Sequence, residues 1–315
     1  MAARCQEPTR RGTKTAKWRE EVVIRKPKTR GVKADAILDD DEIYARAVKE
    51  WNKTAAHLTK ATDQIIPFKR GPVALAFVAD LHLGSSGVDY ERCFHEAEMI
   101  RDTPNMWLVT VGDLLDNFLF AKMMNARFKA RLSIDDEWAL VRKYLTIVAP
   151  KLLVSVSGNH DNWSLAITGV DYFREVLKQI SPDTVYDTDD LSFRLDVNKA
   201  RFPIRVRHKW AGYSMYNLTQ GIERAMKFDS GDGGFIVGVG AHTHASGLVR
   251  TCNISGKSGM AVLCGTYKIF DPYAHTHGFY KPNSSTAMTV VFDESGAMVG
   301  VDRLDIAARI IKAMR

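Results

Sequence analysis

From Pro72 onward, short unbroken apolar runs alternate with stretches in which apolar residues return every three or four positions. PVALAFVADLHLG, MWLVTVGDLLD (106–116) and KLLVSVSGNHD (151–161) are runs of the first kind, each ending in polar residues. Between and after them lie helical spacings: Tyr90, Phe94, Ala97, Ile100; then Trp138, Val141, Leu145, Val148; then Trp163, Ile167, Val170, Phe173, Leu177. Further strands are expected within 201–210, 233–244 and 259–270, and a hairpin over 287–304 turning at Glu294-Ser295-Gly296. Unbroken apolar strands alternating with amphipathic helices predict an α/β core whose strands are covered on both faces. Upstream, Asp40 and Asp41 precede Ile43, Ala47, Trp51, Ala55 and Leu58, the spacing of an amphipathic helix with an acidic start. The chain therefore reads as an arm (1–38), a helix with its linker (39–70) and one large domain (71–315), with no internal repeat.

Charge changes this picture at one end. Residues 1–33 hold eleven Lys and Arg against three Glu, an excess larger than the whole chain's net charge of +7. The basicity thus belongs to the arm, and the rest is close to neutral. A basic arm with few apolar residues cannot bury enough surface to fold alone, and it is suited to phosphate contacts. Four scattered cysteines form no CxxC pair, which argues against a thiolate metal cage. No apolar run reaches membrane-spanning length, and MAARCQEPTRRGTK offers no apolar core for a signal peptide. The expectation is a cytoplasmic protein with no membrane association.

The chemistry gathers where the strands end. Those ends read Asp80-Leu-His82, Gly112-Asp113-Leu-Leu-Asp116, Gly158-Asn159-His160-Asp161, His208 and His242-Thr-His244. In open α/β sheets ligands bind beyond the carboxyl ends of strands. One such end is commonplace; five are hard to explain as solvated loops. Carboxylate, amide and imidazole without thiolate suit Mn, Fe or Zn better than Ca or Mg. The donors are too many for one four-coordinate ion and fit two divalent cations sharing a carboxylate, about 3.5–4 Å apart.

In this order, DxH, GDxxD, GNHD, H and HxH, the chain resembles the calcineurin-like metallophosphoesterase superfamily over roughly residues 72–305. The resemblance implies a four-layer α-β-β-α sandwich, two mixed sheets flanked by helices. It implies Asp80, His82, Asp113 and His244 around a first metal, and Asp113, Asn159, His208 and His242 around a second, Mn being the first choice. It implies phosphoester hydrolysis by a hydroxide held between the ions, with His160 assisting the leaving oxygen, Asp161 orienting that imidazole and Asp116 behind the ligands. Either acid could instead cap the helix that follows. Two departures stand out: Ala241 replaces the usual Gly before HxH, and His208 is followed by Lys209-Trp210 rather than Gly.

The tetrapeptide AHTH occurs at 241–244 and again at 274–277. The first copy follows a strand. The second follows the turn signal Asp271-Pro272-Tyr273, so His275 and His277 read as loop residues, either plain surface or substrate contacts. After Asp116, Lys122, Arg127, Lys129 and Arg131 interleave with Phe118, Phe120 and Phe128, with no acid from 117 to 134. Basic and aromatic side chains together suit a nucleic-acid strand, although a helix with a solvated basic face has the same composition. FVADLHLG and GDLLDN resemble both the nucleases of double-strand-break repair and the hydrolases of nucleotide-linked lipids. The latter carry HGD where this chain has HKW. The expectation is a nuclease-like phosphodiesterase with nucleic acid as partner, Lys122, Arg127, Lys129, Lys209, His275 and His277 being candidate substrate contacts. The alternatives are a phosphatase or pyrophosphatase of a small nucleotide-type substrate, and a non-catalytic nucleic-acid-binding scaffold.

Overall fold

The computed structural model describes residues 39–60 (side chains to 53), 64–119, 132–212, 214–228, 234–270 and 286–314; the basic arm (1–38) lies outside them. The chain divides into two compact units, Met1–Asn52 and Lys53–Arg315. Helix α1 (Asp40–Lys60) runs across that boundary and opens on Asp40, Asp41 and Glu42, negative charges that favour a helix N-terminus.

In the second unit the strands are β1 (Ile65–Phe68), β2 (Val73–Val78), β3 (Met106–Val111), β4 (Leu152–Val156), β5 (Val185–Asp187), β6 (Asp190–Val197), β7 (Ala200–Arg207), β8 (Val237–Gly240), β9 (Gly247–Cys252), β10 (Ser258–Leu263), β11 (Met288–Phe292) and β12 (Met298–Val301). They form two six-stranded mixed sheets, ordered β12-β11-β2-β3-β4-β5 and β1-β6-β7-β8-β10-β9. Strands β2, β3, β4 and β5 run parallel, as do β7, β8 and β10. Parallel neighbours end at the same edge of a sheet, so each sheet delivers its polar strand ends to one rim.

Side-chain alternation assigns the layers. Along β2, Val73, Leu75 and Phe77 enter a core shared with Phe193, Val206, Val237 and Met260 of the other sheet. Ala74, Ala76 and Val78 face the opposite way. There they meet helices α2 (Tyr90–Asp102), α3 (Ile134–Val148) and α5 (Tyr172–Ile180), and the C-terminal helix Leu304–Ala313. The small alanines let those helices approach the sheet. On the far side, Ile222 and Met226 of α6 (Gln220–Phe228) pack with Phe235, Ala261 and Leu263. The order is helix, sheet, sheet, helix. Phe202 and Phe292 meet across the two sheets, ring centroids 4.9 Å apart and steeply inclined. Burying each such side chain contributes roughly 1.5–3 kcal/mol.

One expected helix is two. The spacing over 163–177 is interrupted: α4 (Asn162–Thr168) ends on Gly169 in the left-handed conformation (φ 71°), and α5 begins after Asp171, whose side chain accepts Arg174 N–H. Val170, counted among the helical positions, sits in the break and is exposed. Glycine has no Cβ to oppose that conformation, and an Asp two residues on starts the next helix. The predicted hairpin is present, with Gly296 at φ 89° and its N–H bonded to Asp293 O.

Candidate metal centre

Five of the candidate ligand residues bend the backbone. Asp80, His82, Asp113, His242 and His244 have φ of 49°, 48°, 55°, 77° and 58°. Non-glycine residues held there cost of order 1–3 kcal/mol each and persist only where surrounding bonds dictate them. Those bonds are present. Asp80 N–H reaches Gly112 O (3.0 Å), His82 N–H reaches Asp113 O (3.1 Å) and Ala241 N–H reaches His208 O (2.9 Å). The sheets are tied together by His242 N–H donating to Asp80 Oδ2 (2.9 Å) and His208 Nδ1 donating to Val111 O (2.7 Å).

Three rings have their tautomer set by an acceptor behind them. His82 Nδ1 lies 2.8 Å from Asp116 Oδ1, His208 Nδ1 faces the Val111 carbonyl, and His160 Nδ1 faces the Asp116 carbonyl at 2.6 Å. A carbonyl or carboxylate only accepts, so each Nδ1 carries a hydrogen and each ring turns its Nε2 inward. His82 Nε2 meets His244 Nε2 at 2.9 Å, and His208 Nε2 lies 3.1 Å from Asp113 Oδ2 and 3.3 Å from His242 Nδ1. Three sets of donor atoms, each within 4.8 Å of one another, result: Asp80, His82, His244; His82, Asp113, His160; and Asp113, His208, His242. Asp113 belongs to two of them.

Buried oxygens test whether cations fit. Asp80 Oδ1 and Asn159 Oδ1 are buried and accept no hydrogen bond. An unsatisfied buried acceptor costs about 1–3 kcal/mol, more when charged. Asp80 Oδ1 stands 3.9 Å from His82 Nε2 and 3.7 Å from His244 Nε2, a spacing that leaves room for a cation between them. The donor set suits divalent transition ions.

Proton affinities follow the same geometry. Burial lifts Asp80 to about 7. Burial also acts on Asp113, but His208 and His160 beside it hold its carboxyl well below the usual range. Against its own burial, His208 is raised to about 10 by Asp113. Burial and then His208 press His242 down to about 4, and burial and His82 lower His244 strongly. Asp116 is held at about 2 despite burial, chiefly by the His82 hydrogen bond. Without cations the cluster keeps His208 protonated beside Asp113.

One expected role needs correcting. The Asp161 carboxylate is engaged away from the His160 imidazole and does not cap α4. It accepts three main-chain N–H groups, from Gly158 (2.8 Å), Asp113 (2.8 Å) and Leu114 (3.0 Å), tying the β3 and β4 loops together. Burial and then Asp113 raise it to about 6. The ring is oriented by the Asp116 carbonyl instead, while the Asp116 side chain backs His82. Lys209 is exposed and lowers the proton affinity of His242. Trp210 turns away to donate to Val239 O (2.8 Å). Lys122, Arg127, Lys129, His275 and His277 lie outside the described residues.

Other residues join the site without belonging to any of its motifs. Lys268, buried, places Nζ 3.4 Å from Asp116 Oδ1. Thr266 donates to Asp80 O (2.6 Å). Trp163 stacks on His160, centroids 4.0 Å apart at 33°, and Phe118 stands 5.6 Å from the same ring. Trp163 and Phe118 are visible in the sequence as aromatics beside motifs, but a turn has to bring them to one imidazole.

No protein-family model matches the sequence, and no curated protein does. Among solved structures the chain is similar to Vacuolar Protein Sorting 29 from Cryptosporidium parvum, at 14% identity and TM-score 0.37 over 73% of this chain and 96% of that one. It is similar to the Pseudomonas putida nuclease MPE at 14% identity and TM-score 0.33, over 72% and 87%. A conserved predicted phosphoesterase from Streptococcus pneumoniae TIGR4 matches at 11% identity and TM-score 0.32, over 74% and 99%.

Proposed function

We propose that the protein is a calcineurin-like phosphoesterase that holds two divalent cations and hydrolyses phosphodiesters of nucleic acid. The observation that carries the reading is the chain of overlapping donor sets, Asp80-His82-His244 and Asp113-His208-His242, linked by a third that holds His82 and Asp113, with the orphaned buried oxygens of Asp80 and Asn159 beside it. Asp80, His82, Asp113 and His244 would hold one ion, and Asp113, Asn159, His208 and His242 the other. Two such ions supply Lewis acidity and a water activated at neutral pH. His160 Nε2 stands 4.0 Å from Asp113 Oδ2, in a donor set with His82 and Asp113, and in this reading serves as the acid rather than as a ligand. With Nδ1–H on the Asp116 carbonyl, a protonated His160 presents its second N–H to a leaving oxygen and donates it as the ester bond breaks. A positioned acid of this kind contributes about 10²–10⁴-fold.

Nucleic acid as substrate is supported by the basic arm, by the basic and aromatic composition of 117–134, and by Phe118 and Trp163 beside His160. The test is cleavage of end-labelled single- and double-stranded DNA with Mn, beside His160→Ala. Wild-type cleavage falling about 10²–10⁴-fold in the variant, with metal content unchanged, supports the reading. Bound metal without DNA cleavage moves the substrate to small phosphoesters. Failure to bind Mn, Fe or Zn favours a scaffold without activity.

A further inference from the structure

The main-chain carbonyl that orients His160 needs something to aim it. We propose that Asn117, anchored by Glu137, is the positioning residue of His160; this rests on the role given to His160 above. Asn117 is fully buried and left-handed, φ 46°. That turn follows directly on the Asp116 carbonyl, whose oxygen takes His160 Nδ1–H at 2.6 Å. The Asn117 side chain grips the same segment from the other end. Its Nδ2 donates to His160 O (2.7 Å) and to Ser164 Oγ (3.0 Å) on α4. One residue thus holds the imidazole through the preceding peptide and the His160 main chain through its amide.

Glu137 completes the device. It lies in the first turn of α3, beside the acids Asp135 and Asp136, yet is fully buried. Its Oε2 accepts Asn117 N–H at 2.9 Å. Its stem fills the space left by the absent side chain of Gly84, two residues past His82. A buried carboxylate is costly unless bonded, and here it bonds a main-chain N–H of a strained residue one position from Asp116. None of the five strand-end motifs includes Asn117 or Glu137.

The variants are N117G, which tolerates φ 46° but removes the grip, N117D, which sets an acceptor against the His160 carbonyl, E137A and E137Q, with His160→Ala as reference. Turnover is measured on methyl aryl phosphodiesters whose leaving groups run from 4-nitrophenol to unsubstituted phenol. N117G, N117D and E137A should lose about 10- to 100-fold in kcat on the phenol ester, within the ~10²–10⁴-fold range of a positioned acid. They should lose little on the 4-nitrophenol ester, with KM and bound metal unchanged. E137Q, whose amide oxygen still accepts the Asn117 N–H, should lose less than E137A. In the metal-free protein, ¹⁵N imidazole NMR should show His160 as the Nδ1–H tautomer in the wild type and a tautomer mixture in N117G. Equal losses on both esters, or an unchanged tautomer, would overturn the proposal while leaving His160 as the acid. If His160→Ala itself shows no leaving-group dependence, the acid role fails and this inference falls with it.

Discussion

At the scale of single residues, the site is a proton store that cations should empty. In the metal-free protein the proton between His208 and Asp113 rests on His208, raised to about 10, and Asp80 is raised to about 7. Both must be bare to act as ligands, so cation binding releases protons and affinity must rise with pH. Between pH 7 and 9 His208 remains protonated in the free protein, and the apparent Kd for Mn should tighten about tenfold per pH unit. Below pH 7 Asp80 also binds a proton and the dependence should steepen. Calorimetric titration in buffers of different ionisation enthalpy measures the protons released; a Kd flat with pH would show that the proton lies elsewhere. The same scale explains the correction at Asp161. A carboxylate beside a histidine in sequence is as readily an acceptor for main-chain N–H groups, and only the positions of Gly158, Asp113 and Leu114 decide between the two roles.

At the scale of elements, the loop that closes β4 lies against the loop that closes β3. A Cβ at Gly158 would stand 2.7 Å from Asp113 Cγ and nearer still to other Asp113 atoms. Gly158→Ala should therefore cost about 1–3 kcal/mol through overpacking, read by urea unfolding, and should lower bound Mn per chain. Stability loss with full metal content would show that the loop yields without moving Asp113. By contrast, Ser133 forms a capping box with Asp136 at the start of α3. Ser133→Ala should cost about 0.5–2 kcal/mol and leave metal content unchanged. The helices were legible in the sequence wherever a 3.6-residue period ran unbroken, as over 90–100 and 138–148. Over 163–177 the period continued through Gly169, because apolar spacing cannot register a single left-handed residue. Strand β6 was not among the expected strands, although its alternating buried positions form a readable pattern.

At the scale of the whole molecule, charge and site are separately encoded. No described helix is long and apolar enough to cross a membrane. The basic excess lies in residues 1–33 and the candidate metal ligands lie between 80 and 244. If the arm neutralises phosphates, removing 1–33 should weaken DNA binding. It should also flatten the slope of log K against log salt by about 0.9 for each phosphate the arm neutralised. Filter binding or anisotropy at several salt concentrations gives that slope. An unchanged affinity at low salt would assign the arm another task.

The sequence alone determined the candidate ligand types, their order and their place after apolar strands, because parallel strands must end together and each motif is local. It also determined the α/β class, through the unbroken apolar runs. Only the tertiary structure decided which acceptor stands behind each imidazole, that Asp161 serves main-chain N–H groups, and that Asn117, Glu137, Thr266 and Lys268 surround the centre. The bonds that bring those four residues in join segments 20 to 186 residues apart. Such contacts arise from chain crossings and left-handed turns at the sheet rim, which no local spacing records.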